Sequence, residues 1–195
     1  PAPAPGTPAA LAAYVADVLA ADPAARAQAA ASWRMPPERW AQTMVPAYQA
    51  LYADYVRAFA DALPALTAQL AWPGPVAARR HFAGDVRLTL AQARNRWALP
   101  TLFPSLVVEV GGAPLDAVFV ADGARWRVLV GLDAVVLARV RALDATCADR
   151  LATAGRPGRC TDIGAAIADA AIRTDRASLA HVCRLADTLC GKAWP

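Results

Sequence analysis

The chain has 195 residues, of which 57% are hydrophobic and 18% charged, with a formal charge of +4. That length suits one ordinary domain, or one domain with an appendage, and the composition excludes long disorder. The positive charge is nearly all arginine, scattered in short pairs (Arg79/Arg80, Arg94/Arg96, Arg125/Arg127, Arg139/Arg141) with aspartates between them, so no stripe exists to track a phosphate backbone and no nucleic-acid partner is expected.

No stretch approaches the ~18 consecutive apolar residues of a membrane helix. Asp17 interrupts the first apolar segment, and Glu109 and Asp116 interrupt the later one. No transmembrane segment is expected. The opening Pro1-Ala2-Pro3-Ala4-Pro5-Gly6 reads as an extended spacer, residues 1–7, that acts as a leader or tether. Such spacers follow a removed signal peptide, or a lipid-bearing cysteine upstream of Pro1.

Thr7-Pro8 reads as the cap and first residue of a helix to about Ala21, and Asp22-Pro23 opens a second to about Trp33. Trp40, Met44, Tyr48, Leu51, Tyr52, Tyr55, Phe59, Leu63, Leu66 and Leu70 then step by three or four along one face. Pro46 and Pro64 predict kinks or breaks in that run. A short helix is expected over Arg79–Phe82. A strand is expected over 85–88, and Thr89-Leu90-Ala91-Gln92 predicts a capped helix.

The pattern then changes to period two. Ser105–Val110, Leu115–Val120 and Arg125–Val130 read as strands, joined at Gly111-Gly112 and Asp122-Gly123 into an antiparallel meander. From Asp133 the helical period returns, with Val136, Val140, Leu143 and Cys147 on one face, and two more helices are expected over 161–173 and 176–190. The fold class expected is α+β. Helices pack on a small antiparallel sheet in residues 8–132, and a three-helix module with two disulfides fills 133–195.

All four cysteines, Cys147, Cys160, Cys183 and Cys190, lie in this last module. Their spacings are far wider than the close pairs of a zinc site, and an even number in one module points to disulfides and an oxidising compartment. Helices running up, down and up set Cys160 and Cys190 at one end and Cys147 and Cys183 about 10 Å back from it. Level matching therefore pairs Cys147 with Cys183 and Cys160 with Cys190. A bond from Cys183 to Cys190 within one helix would span ~10 Å, beyond disulfide reach.

Candidate chemistry is sparse. If Val110 pairs with Leu115, Glu109 stands opposite Asp116, and Arg127 lies on the same face, which gives a polar cluster with a candidate general base. The plainer reading is a solvent face with an incidental ion pair. His81 follows two arginines and precedes Asp85, a pairing that suits a base. His181 lies among the cysteine-bearing helices, and neither histidine has metal-ligand spacing to a second. Tyr48, Tyr52, Tyr55 and Phe59 share one face and are candidates to rim an apolar cavity, although such a face is more often core. No metal or cofactor motif is present, and none is expected to be bound.

The run from Val118 through Asp122-Gly123 to Arg125-Trp126-Arg127-Val128-Leu129-Val130, within residues 104–131, resembles the final hairpin of NTF2-like (cystatin-like α+β) domains. The resemblance implies helices before a curved sheet, and it carries no active-site residue onto this chain. The function expected is that of an exported, non-enzymatic binding or interaction protein. Its partner is another protein, as in an envelope assembly, or an apolar small molecule such as a lipid. The alternative is an NTF2-like enzyme with Asp116 or Glu109 as a general base.

Overall fold

The computed structural model describes residues 4–44, 46–81, 105–130, 132–153, 167 and 169–189. The first two helices begin where the caps predict. The Thr7 side chain accepts from the Ala10 amide at 3.3 Å and opens α1 (Pro8–Ala20). Asp22 accepts from Ala25 at 2.9 Å and opens α2 (Pro23–Ser32). Each satisfies an amide that the first helical turn leaves free. The long aromatic run is divided among α3 (Pro37–Thr43), α4 (Pro46–Gln49) and α5 (Tyr52–Gln69). Pro46 starts a new helix, whereas α5 runs through Pro64. The lost amide there is outweighed by a face that buries Tyr55, Phe59 and Leu66.

The protein is α+β, with a small antiparallel sheet. Its strands are β1 (Val76–Arg80), β2 (Ser105–Val110), β3 (Ala113–Pro114), β4 (Val118–Asp122) and β5 (Arg125–Leu129), in the order β1-β2-β4-β5, with β3 pairing β2. Residues 79 and 80 thus lie in a strand, not in the expected short helix. Alanine and arginine favour helix, but Val76 to Arg80 pair along the whole of β2, and that ladder overrides local propensity.

Two registers differ from expectation. Val110 pairs with Ala113, not Leu115, because Gly111 and Gly112 take φ of 59° and 82°, the pair of left-handed residues a two-residue type I′ hairpin requires. The returning strand then spends two residues more than β2 between the Glu109–Pro114 and Leu106–Phe119 pairs. At the second hairpin Asp122 pairs with Arg125 and Val120 with Arg127, which places Gly123-Ala124 in the turn. The face expected to be polar is buried along its centre, at Val107, Val118, Val120 and Leu129. Near-continuous apolar runs such as Leu106-Val107-Val108 belong to a sheet covered on both sides.

After the sheet, the single helix expected from residue 133 is two: α6 (Leu132–Leu143) and α7 (Ala145–Thr153). Asp144 makes the break, because its carboxylate accepts from the Cys147 amide at 3.0 Å and caps a new helix. Asp175 does the same for α8 (Arg176–Leu189), accepting from Ser178 at 3.0 Å. Its carboxyl is held below its ordinary range by the Ser178 hydroxyl and amide. Val136, Val140, Cys147, Ala148, Ile167, Leu179 and Cys183 belong to a second core, separate from the one under the sheet, and Ile172 packs against both.

Cys147 and Cys183 form a disulfide, with α-carbons 6.1 Å apart. The expected Cys160–Cys190 pair, the strand over 85–88 and the capped helix from Thr89 lie outside the described residues. Among the described residues no helix is long and apolar enough to cross a membrane.

Candidate functional site

The aromatic face is core. Tyr48, Tyr55 and Phe59 are buried and Tyr52 half-buried. The Trp40 ring stacks on Tyr55 at 4.7 Å and 22°, with Tyr52 tilted against both. The hydroxyls serve the fold. Tyr55 accepts from the Met35 amide at 2.7 Å and donates to the Val128 carbonyl at 2.8 Å, while Tyr52 donates to the Met35 carbonyl at 3.1 Å. Burial raises the Tyr55 phenol well above its ordinary range. It also pushes Tyr48 up to about 12, helped by the charge of Asp169. The Tyr52 and Tyr55 hydroxyls thus find backbone partners, which is what buried tyrosines need.

The sheet register does not set Asp116 opposite Glu109. Glu109 pairs in register with Ala77 on one side and Pro114 on the other, and its carboxylate lies 3.8 Å from Arg79. Asp116 sits in the break before β4, where its amide donates to Gln69 at 3.0 Å. Arg127 is on β5 and bonds Asp122 at 2.8 Å, with further bonds to the carbonyls of Ser32 and Arg34. The expected opposition of Glu109 and Asp116 fails because the tight glycine turn moves Pro114 into that place.

His81 follows β1. Its amide donates to the Ser105 carbonyl at 2.9 Å, and its Nδ1 lies 3.4 Å from the Ser105 hydroxyl. The contact is the next rung of the β1–β2 ladder, and Ser105 is only 8% exposed. Asp85 lies outside the described residues, and His181 is exposed on α8.

Two surface features were not legible in the sequence. The first is a knot of charge. Asp122 is held by Arg127 at 2.8 Å and by Arg39, from α3, at 3.6 Å, and Arg39 also donates to the Ala121 carbonyl. An aspartate beside a glycine turn signals a hairpin, but nothing local points to a partner 83 positions earlier. Beside it lies a depression of about 220 Å³ lined by Tyr14, Ser32, Ala124, Arg125, Trp126 and Arg127. The second is Trp72, 74% exposed, on the Pro73-Gly74-Pro75 corner that precedes β1. Gly74 lies directly on the β2–β3 turn: a methyl group added there would stand 2.7 Å from the Gly111 α-carbon. The Gly111 amide donates to the Pro75 carbonyl at 2.9 Å.

Among the described residues no three side chains of the histidine, cysteine, aspartate or glutamate type gather as metal ligands. No protein-family model, curated protein or solved structure matches this chain.

Proposed function

We propose that the protein is an exported, non-enzymatic interaction protein that docks a partner protein at the corner carrying Trp72. The observation behind this reading is a large aromatic ring, 74% exposed, on a corner whose backbone is fastened to the neighbouring hairpin turn. Two prolines and the Gly74–Gly111 contact restrict that corner. A pre-ordered aromatic loses little entropy on binding, and tryptophan is enriched among the residues that dominate interface energy. The packed aromatic core favours a protein partner over an apolar small molecule. The disulfide supports an oxidising location, the periplasm or cell surface. The NTF2-like likeness of residues 104–131 enters as a scaffold, with no catalytic role for Glu109 or Asp116.

The test is site-specific photo-crosslinking in the native host, with the reactive side chain at position 72 and, as control, at exposed Arg57. A discrete adduct from position 72 that position 57 does not give supports the reading. Identical patterns from both positions, or a lipid that copurifies stoichiometrically in native mass spectrometry, overturns it.

A further inference from the structure

We infer a second site, independent of the Trp72 corner: the depression at the β4–β5 hairpin docks carboxylate side chains of an acidic peptide segment in a partner protein. The two lie at opposite ends of the sheet. Trp72 adjoins the β2–β3 turn at Gly111, and the depression adjoins the turn at Gly123-Ala124.

The charge around the depression is unbalanced. Arg34 and Arg39 lie on the segment that follows α2, and Arg125 and Arg127 lie on β5. Against them stand Asp122 and, one residue from Arg39, Glu38. Asp122 is already engaged, one oxygen with Arg127 at 2.8 Å and the other with Arg39 at 3.6 Å. Arg125 is the cross-strand partner of Asp122, yet its exposed guanidinium makes no hydrogen bond or ion pair with any described residue. The same holds for the exposed guanidinium of Arg34, whose backbone carbonyl accepts from Arg127.

The lining presents donors. Tyr14 accepts from the Trp33 indole at 2.8 Å. An indole N–H can only donate, so the Tyr14 hydroxyl keeps its own proton to give. Arg125 adds a planar fork of donors that matches a carboxylate. The site therefore suits an acceptor and repels a cation. A volume of about 220 Å³ admits a side chain rather than a large cofactor. Charge beyond the depression, at exposed Arg34, suits a further acidic residue on the same peptide.

The experiment is fluorescence anisotropy at low salt with a labelled glutamate-glycine peptide, its glutamine-glycine counterpart, inorganic phosphate as competitor and a single-stranded oligonucleotide. The glutamate peptide is expected to saturate. Arg125→Ala weakens it about tenfold and Tyr14→Phe about threefold, the loss of one charge-assisted and one neutral hydrogen bond. Arg57→Ala removes equal charge elsewhere and leaves binding unchanged, as does Trp72→Ala, which separates this site from the proposed function. Circular dichroism of Arg125→Ala should match the parent. Equal affinity for the glutamine peptide, or equal loss in Arg57→Ala, overturns the proposal. So does full displacement by phosphate at the peptide's own concentration, or tighter binding of the oligonucleotide through the same arginines.

Discussion

The Tyr55 hydroxyl donates to the Val128 carbonyl at 2.8 Å, which fastens the first turn of α5 to β5 of the sheet. The same oxygen accepts from the Met35 amide at 2.7 Å, so one phenol joins three segments. Tyr55→Phe keeps the ring and its stack on Trp40 but leaves the Met35 amide buried without that partner. A loss of about 1–3 kcal/mol is expected in urea unfolding, with an unchanged slope. A loss below 0.5 kcal/mol, on the order of a neutral surface change, would show that the bond is incidental.

Gly74 and Gly111 touch backbone to backbone, so Gly74→Ala has no flexible side chain to push aside. The expected cost is about 1–3 kcal/mol, as for overpacking a core. Gly112 meets nothing within 4 Å but holds φ at +82°. Gly112→Ala should cost about 1–2 kcal/mol through backbone strain alone. Thermal unfolding of both variants checks the distinction, and Gly74→Ala crystals should show a shifted hairpin turn whereas Gly112→Ala crystals should not.

The disulfide closes a loop of sequence separation 36 between α7 and α8. In the chain-entropy account a loop of that size contributes about 3–4 kcal/mol. Cys147→Ser with Cys183→Ser should lower stability by roughly that amount. Non-reducing peptide mapping of the parent should recover the two cysteines in one linked species; recovery of Cys147 joined to Cys160 contradicts the structure.

Asp54 joins α5 to α6 through Arg139 at 2.9 Å and also pairs with Arg57. The Arg139 hydrogen bond, opposed by burial and aided by Arg57, holds the Asp54 carboxyl below its ordinary value of 3.8. A carboxyl lowered in the folded state stabilises above its unfolded value and loses that contribution as pH falls through its folded one. The pair is partly exposed, so Asp54→Asn should cost less than about 1 kcal/mol at pH 7. The difference between parent and variant should begin to close as pH falls below about 4, where the unfolded carboxyl takes up its proton, and should vanish only below the lowered folded value, where the parent also carries an uncharged side chain. A difference that persists unchanged in acid would assign the effect to packing.

Much of the local structure was legible because its causes are local. Thr7 and Asp22 cap their helices with their own side chains, and Gly111-Gly112 marks a turn that only short hairpins use, whereas the second turn falls one residue beyond the expected Asp122-Gly123, at Gly123-Ala124. The Cys147–Cys183 pairing was legible from helical rise, although Asp144 divides the helix from which it was argued. What escaped was non-local. β1 has the composition of a helix and becomes a strand through pairing with β2. Glu109 and Asp116 were misplaced by a turn two residues tighter than assumed. Trp72 carries no pattern that announces its exposure, and the Asp122 knot depends on an arginine from a distant helix.

The Cys147–Cys183 bond passes over Cys160 in the sequence. A chain that enters an oxidising compartment with its N-terminus first presents Cys147 and Cys160 together, before Cys183 has arrived. The first bond available to a simple oxidant is then the wrong one, and reaching the native bond takes thiolate attack on that intermediate and exchange. Uncatalysed rearrangement of this kind takes minutes to hours. Production of the protein should therefore depend on a disulfide isomerase as well as an oxidase, a demand set by the order of cysteines along the chain rather than by the stability of the finished fold.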